Sequence, residues 1–165
     1  MALFPKDVYS AIKTALEGSS FLPYVDVVAI RKYRRDTLPE FEYYSIVISP
    51  LSAESVPYEA AQRWIANTVE LILLGKIRNG LEDALMADSP TGSPPNVGVL
   101  AMYEDVYRTL YKNTLGGVIE LYPKLNELDV TSRFDVLAPE EDREEFIFEA
   151  RVGYRPRGQR WVNLE

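Results

Sequence analysis

The sequence predicts an α+β fold: one mainly antiparallel sheet of about four to five strands, two principal helices packed on one face, and a long β-hairpin. Three observations predict it. The stretch Phe146 to Arg155, F-I-F-E-A-R-V-G-Y-R, alternates strictly. Phe146, Phe148, Ala150, Val152 and Tyr154 fall on one side of a strand, and Ile147, Glu149, Arg151, Gly153 and Arg155 on the other. Two Val/Ile-rich runs, Tyr24 to Arg35 and Glu42 to Ser49, flank a polar turn. Two further segments, Lys6 to Gly18 and Val99 to Asn113, repeat their apolar residues every three or four positions.

The first helix is predicted over Lys6 to Gly18. Val8, Ala11, Ile12, Ala15 and Leu16 make its stripe, with Pro5 before it and Gly18 after it in the expected asymmetry. Tyr24 to Arg35 reads as a strand ending in R-K-Y-R-R. The polar turn Asp36 to Glu40 leads to a second strand at about Glu42 to Ser49, with Tyr44, Ile46 and Ile48 on one face. Together these read as a long hairpin with a charged tip. Pro50 to Pro57 reads as a loop. Tyr58 to Leu74 reads as a third strand ending at Gly75, with Ile65, Val69, Leu71 and Leu73 on one face and Asn67 as the exception. Residues 76–98 read as a loop-rich insertion. It carries a helical turn near Leu81 to Met86, then the cluster A-D-S-P-T-G-S-P-P-N-V-G, whose adjacent prolines oppose regular structure.

Val99 to Asn113 is the clearest helix, with Val99, Met102, Tyr103, Val106 and Leu110 in its stripe. Glu104 and Arg108 form a favourable pair four residues apart, and Gly116 and Gly117 stop the helix. A strand is predicted at Val130 to Val136. Pro156 is expected to end the pairing of the closing strand, because it has no amide hydrogen. A basic, aromatic tail follows: Arg157, Gly158, Gln159, Arg160, Trp161. No repeat divides the chain, so residues 1–165 read as a single domain.

Composition narrows the chemistry. The 165 residues are 47% hydrophobic and 26% charged, enough for a continuous core and an ordinary globular surface. There is no cysteine and no histidine. Disulfides, thiol nucleophiles, thiolate metal sites and Ser-His-Asp arrangements therefore cannot be built. The commonest general base near neutral pH is missing as well. A net charge of −7 argues against tight gripping of nucleic acid. No signal peptide is visible, and the longest apolar run, Leu71 to Leu74, is far short of a membrane span. The expectation is a soluble protein made in a cytoplasm.

Two carboxylate routes to catalysis remain. The run Glu140, Glu141, Asp142, Glu144, Glu145 could in principle hold a divalent ion, but it lacks a glycine turn and regular ligand spacing and reads as a solvated loop. Glu70 and Glu149 are the isolated acids that a general acid/base pair would need, and the polar face of a strand explains both. No catalytic residue, metal ligand or cofactor is therefore assigned. The candidate interface residues are basic: Arg31, Lys32, Arg34 and Arg35 at one strand end, and Arg151, Arg155, Arg157 and Arg160 at another. Tyr33, Tyr154 and Trp161 are interleaved with them, and the chain holds eleven tyrosines. Arginine and tyrosine are favoured where proteins dock.

The order of elements resembles that of the tail terminator proteins of long-tailed bacteriophages. The resemblance covers most of the chain as architecture and is sharpest in Glu149-Ala150-Arg151-Val152-Gly153-Tyr154-Arg155-Pro156-Arg157. It implies a structural, non-enzymatic virion protein at the junction of tail and neck, assembled in the host cytoplasm. Six copies would form a ring that caps the tail tube and stops its polymerisation. The opposite face would receive the head-completion or connector protein. DNA would pass through the lumen without specific binding, and no membrane would be involved. A head-completion or other neck adaptor shares this class. The alternative from another class is a stand-alone module that binds a small ligand or RNA through the Arg/Tyr hairpin.

Overall fold

The computed structural model describes residues 5–59, 62–111, 113–117, 127–129, 134–137 and 145–161. The order of elements is helix α1 (Pro5–Glu17), strand β1 (Val27–Ile30), strand β2 (Tyr44–Glu59), strand β3 (Gln62–Lys76), helix α2 (Leu81–Met86), short strands β4 (Asp88–Ser89) and β5 (Asn96–Val97), helix α3 (Val99–Leu110), and strands β6 (Glu127–Asp129), β7 (Phe134–Leu137), β8 (Ile147–Arg155) and β9 (Arg157–Trp161). The fold is α+β. The main sheet runs β1-β2-β3-β8-β6, with β7 also on β8 and β9 also on β3. Strands β4 and β5 form a separate ribbon.

The two predicted helices are present, and their stripes are the core. Val8, Ile12 and Leu16 of α1 and Val99, Met102, Val106 and Leu110 of α3 are buried against Tyr44, Ile46 and Ile48 of β2, Val69, Leu71 and Leu73 of β3, and Phe148, Ala150, Val152 and Tyr154 of β8. Alternation in each strand thus sends one set of side chains to the helices, as the sequence predicts. Phe146 is the exception: it precedes β8 and is exposed.

The hairpin differs from the expected one. Strand β1 is short and runs parallel to β2, with Val27 opposite Ser45 and Ile30 opposite Ile48. Arg31 to Glu40 is therefore not a hairpin tip. The long hairpin is β2–β3, paired from Tyr44–Gly75 out to Glu59–Gln62. The expected loop at Pro50 to Pro57 lies within β2. Its register shifts at Pro50/Ser52 and Pro57/Glu59, so both prolines are placed beside irregularities. Strand β1 ends at Ile30, so β2 beyond Ile48 is an edge among the described residues.

Pro156 does not end the closing strand. The register of β8 on β3 (Val69–Tyr154) continues unchanged into β9 on β3 (Ala66–Arg157). The imide removes one donor, while its carbonyl still accepts the Asn67 N–H at 3.0 Å. Of the expected strand at Val130 to Val136, β7 covers Phe134 to Val136, and β6 lies just before the expected range. Residues 130–133 lie outside the described residues.

The insertion, residues 76–98, is ordered by packing. Helix α2 packs on α3, and Gly98 joins the β4–β5 ribbon to α3, its N–H donating to Ala87 C=O at 2.7 Å. A Cβ at Gly98 would stand 2.4 Å from the Leu85 carbonyl oxygen, so only glycine fits there. The Tyr44 hydroxyl oxygen accepts the Val97 N–H at 2.6 Å, which pins the ribbon to the sheet.

Candidate assembly surfaces and the buried carboxylate

The second face of the sheet is covered by the connection from β1 to β2. Tyr33 buries itself with Val47, Ile72, Leu74 and Ile147, and Leu38 and Phe41 pack against them. Alternation explains the set: Val47, Ile72, Leu74 and Ile147 are the out-of-phase neighbours of the helix-facing residues. The connection is tied down where its backbone meets β2, with Tyr33 N–H donating to Ser49 Oγ at 3.1 Å and Arg31 N–H to Ile48 C=O at 3.1 Å.

Glu149 lies at the centre of this face and is fully buried. Arg35 approaches it side-on, with Nη2 at 2.8 Å from Oε1 and Nε at 3.2 and 3.1 Å from the two oxygens. Arg151 Nε donates at 3.0 Å, and the Tyr33 hydroxyl donates to Oε2. Arg35 also reaches Asp135 at 2.6 Å, and Arg151 reaches Glu70 at 3.2 Å. The Arg151 guanidinium lies 5.3 Å from the centre of the Tyr33 ring.

Burial by itself would raise the pKa of Glu149. The hydrogen bonds from Arg35, Tyr33 and Arg151 outweigh it and hold the carboxyl below its ordinary range. Tyr33 is pushed up by burial and by its bond to that carboxylate. Arg35 is pushed up chiefly by its hydrogen bond to Glu149. A general acid or base needs a pKa moved towards neutrality and an oxygen within reach of substrate. Glu149 has neither: its pKa moves away from neutrality, and both oxygens are occupied by donors. Glu70 and Glu149, the two acids singled out in the sequence, do come together, but with Arg151 between them.

The eight candidate interface residues separate accordingly. Arg35 and Arg151 are held within the chain. Arg34 pairs locally with Asp36 at 3.0 Å. Arg31 donates to the Thr37 carbonyl, and Lys32 to the Pro50 carbonyl at 3.4 Å. Arg155 is exposed, on the face that carries Arg151. The backbones of Arg157 and Arg160 lie in β9, next to the outer half of the hairpin. Of the acidic run, only Glu145 is described; it pairs with Lys76 at 3.8 Å. No set of three or more potential metal ligands converges among the described residues. No helix among them is long and apolar enough to cross a membrane.

Composition and spacing gave little sign of the apolar surfaces. On β7, Phe134 and Val136 are exposed, next to exposed Phe146. On the helix layer, Leu81, Leu85 and Met86 of α2 are exposed, and Tyr107 stacks on Tyr111 with centroids 5.0 Å apart. An open groove of 390 Å³ lies between α1 and β1. The signal for Phe134 and Val136 was their alternation with Asp135 and Leu137, which is legible only once the strand is known to be an edge. No family model matches the sequence, and no curated protein matches it significantly.

Proposed function

We propose that this chain is a structural ring subunit of a phage neck, of the tail-terminator kind. Six copies cap the tail tube and present a docking surface to the head connector. The observation that carries the reading is a sheet whose end strands β1 and β7 each pair on one side only among the described residues, crossed by a long β2–β3 hairpin. Backbone pairing of β2 with β3 continues past Pro50–Val69 to Glu59 and Gln62. Counted along β3 from Val69 to Gln62, that is roughly 25 Å of further ladder at the usual rise per residue. Strand β9 widens this extension to three strands. A blade of this kind suits contact with a neighbour or a tube.

The reading through a ligand- or RNA-binding Arg/Tyr hairpin loses its support. The Arg31 to Arg35 segment folds back on the sheet, the Tyr33 ring is buried, and Arg35 is engaged with Glu149. A stacking platform needs an uncovered ring. Negative-stain electron microscopy of the purified protein, alone and with tail tubes, tests the proposal. Six-fold rings, or tubes capped at one end, are expected. Monomers that neither associate at high concentration nor bind tube ends would overturn it.

A further inference from the structure

We propose that neighbouring copies join by adding the β7 edge of one sheet to the β1 edge of the next, side by side in antiparallel register, so that one sheet runs through the whole assembly. This rests on the ring reading above and specifies its subunit contact.

Four observations carry it. Strand β1 is the terminal strand of the sheet and pairs only with β2 among the described residues. Arg31 N–H donates to Ile48 C=O, so alternation along the parallel ladder engages the Val27 and Ala29 amides with β2 and turns the Val28 and Ile30 amides towards the open side, a template for another strand. Strand β7 lies at the other end, pairs only with β8 among the described residues, and has the same length of four residues.

Side-chain facing matches across the two edges: exposed Ile30 of β1 stands opposite Ile48 and so points to the helix side, as Phe134 and Val136 of β7 do. Phe134 and Val136 stand opposite Ala150 and Phe148, so they point to the helix side of the sheet, where they are exposed. A groove beside β1 opens between α1 and the strand: the buried Leu16, Leu22 and Val28 floor it with Val25 and Val27, and Lys13, Glu17 and Asp26 make its exposed lining mainly polar. Asp135 and Leu137 point to the other face, towards Arg35 and the buried Ile147, and are already accommodated within their own chain.

Strand direction also agrees. Strands β1 and β2 are parallel, and β3, β8 and β7 then alternate, so β7 runs opposite to β1. An operator that keeps the helix layers on one side places β7 of one copy antiparallel to β1 of the next. The contact is heterologous, and such contacts close into rings when the rotation per subunit divides the circle. Each copy keeps one open edge for the next, so exposed apolar strands that would be a hazard in a monomer become covered.

Thiol cross-linking tests this in a chain that has no cysteine of its own. Ile30→Cys and Phe134→Cys alter exposed helix-side residues of the two edges. Within one chain these positions are four strand spacings apart, about 19 Å, well beyond disulfide reach. Oxidation of the double variant should give a ladder of covalent multimers ending at the ring size, and mixing the two single variants should give a cross-linked dimer that neither forms alone. A short bis-maleimide applied in parallel tolerates a slip of one register step. Circular dichroism should match the parent. Rings seen by microscopy without these cross-links would overturn the edge contact and leave the ring reading standing. Absence of both rings and cross-links, with and without tail tubes, would overturn both.

Discussion

Glu149 is surrounded by two guanidiniums and a phenol, and its surroundings determine what a change at Arg151 would do. Arg151 is on the polar face and looks in sequence like a surface residue whose charge could be reversed freely. In the fold it donates to Glu149 and Glu70, so reversal would set a third carboxylate against a buried one. We expect Arg151→Glu to lower stability by about 3 kcal/mol, the low end of the range for a broken buried pair, because the arginine is one-third exposed and water screens part of the effect. The pH dependence identifies the cause. In the parent, Glu149 has a depressed folded pKa, so its contribution is present above the ordinary carboxylate range and is lost as pH falls through the folded value. In the variant the carboxylates repel and take up protons more readily, so their penalty eases as pH falls. The gap between parent and variant in urea unfolding should therefore narrow from pH 7 to about pH 4. A gap that stays constant would assign the loss to packing. Arg155→Glu, on an exposed residue of the same face, should leave stability within about 0.5 kcal/mol.

At the level of elements, the contact of strands β3 and β8 at Gly75 and Phe148 leaves no room for a side chain on the glycine. The two are paired directly, and the Phe148 ring lies over the glycine. A Cβ at Gly75 would stand 2.2 Å from ring carbons Cε2 and Cζ and 2.9 Å from Tyr44 Cδ1. Phe148 is 3% exposed and packs among core residues. Gly75→Ala should cost about 1–3 kcal/mol by overpacking. Phe148→Leu, which shortens the side chain at that spot, should cost less in the Gly75→Ala background than in the parent. Urea unfolding of the four proteins in a cycle measures the coupling, and additive losses would show that the ring has room to move.

The same pair shows how much of the fold the sequence discloses. Phe148, Ala150, Val152 and Tyr154 were legible as a core face because period-two alternation survives any choice of neighbour. Helices α1 and α3 were legible because their stripes and end signals are local. Pairing partners were not. A run of β-branched residues says strand, but whether Val27 to Ile30 lies parallel or antiparallel to β2 depends on the path of residues 31–43, and a polar turn after a strand looks the same in either case. Pro50, Pro57 and Pro156 read as breakers because a missing amide is local information. Bulges and an open edge that tolerate it are tertiary. The charge cluster was half legible: Arg35, Glu70, Glu149 and Arg151 were each singled out, but sequence gives no sign that the connection folds back to bring Arg35, more than a hundred positions away, onto Glu149.

For the molecule as a whole, the division of charge supports the proposed assembly part over a nucleic-acid binder. Net charge is −7, and the two arginines best placed to form a basic patch, Arg35 and Arg151, are neutralised by Glu149, Asp135 and Glu70. Each phosphate contact a protein makes adds close to one unit to the salt dependence of binding. With the central cations already paired, the field of a chain with net charge −7 repels a polyanion. That is the behaviour a ring needs if DNA is to pass through it without being held. Fluorescence anisotropy with labelled single- and double-stranded DNA should therefore show no binding below about 10⁻⁴ M at either 50 or 200 mM salt, the weak limit of non-specific affinity. Sub-micromolar binding that falls steeply between those two salt concentrations would mean that Arg155 and the β9 arginines grip phosphate, and the chain would then be a nucleic-acid module in place of a conduit.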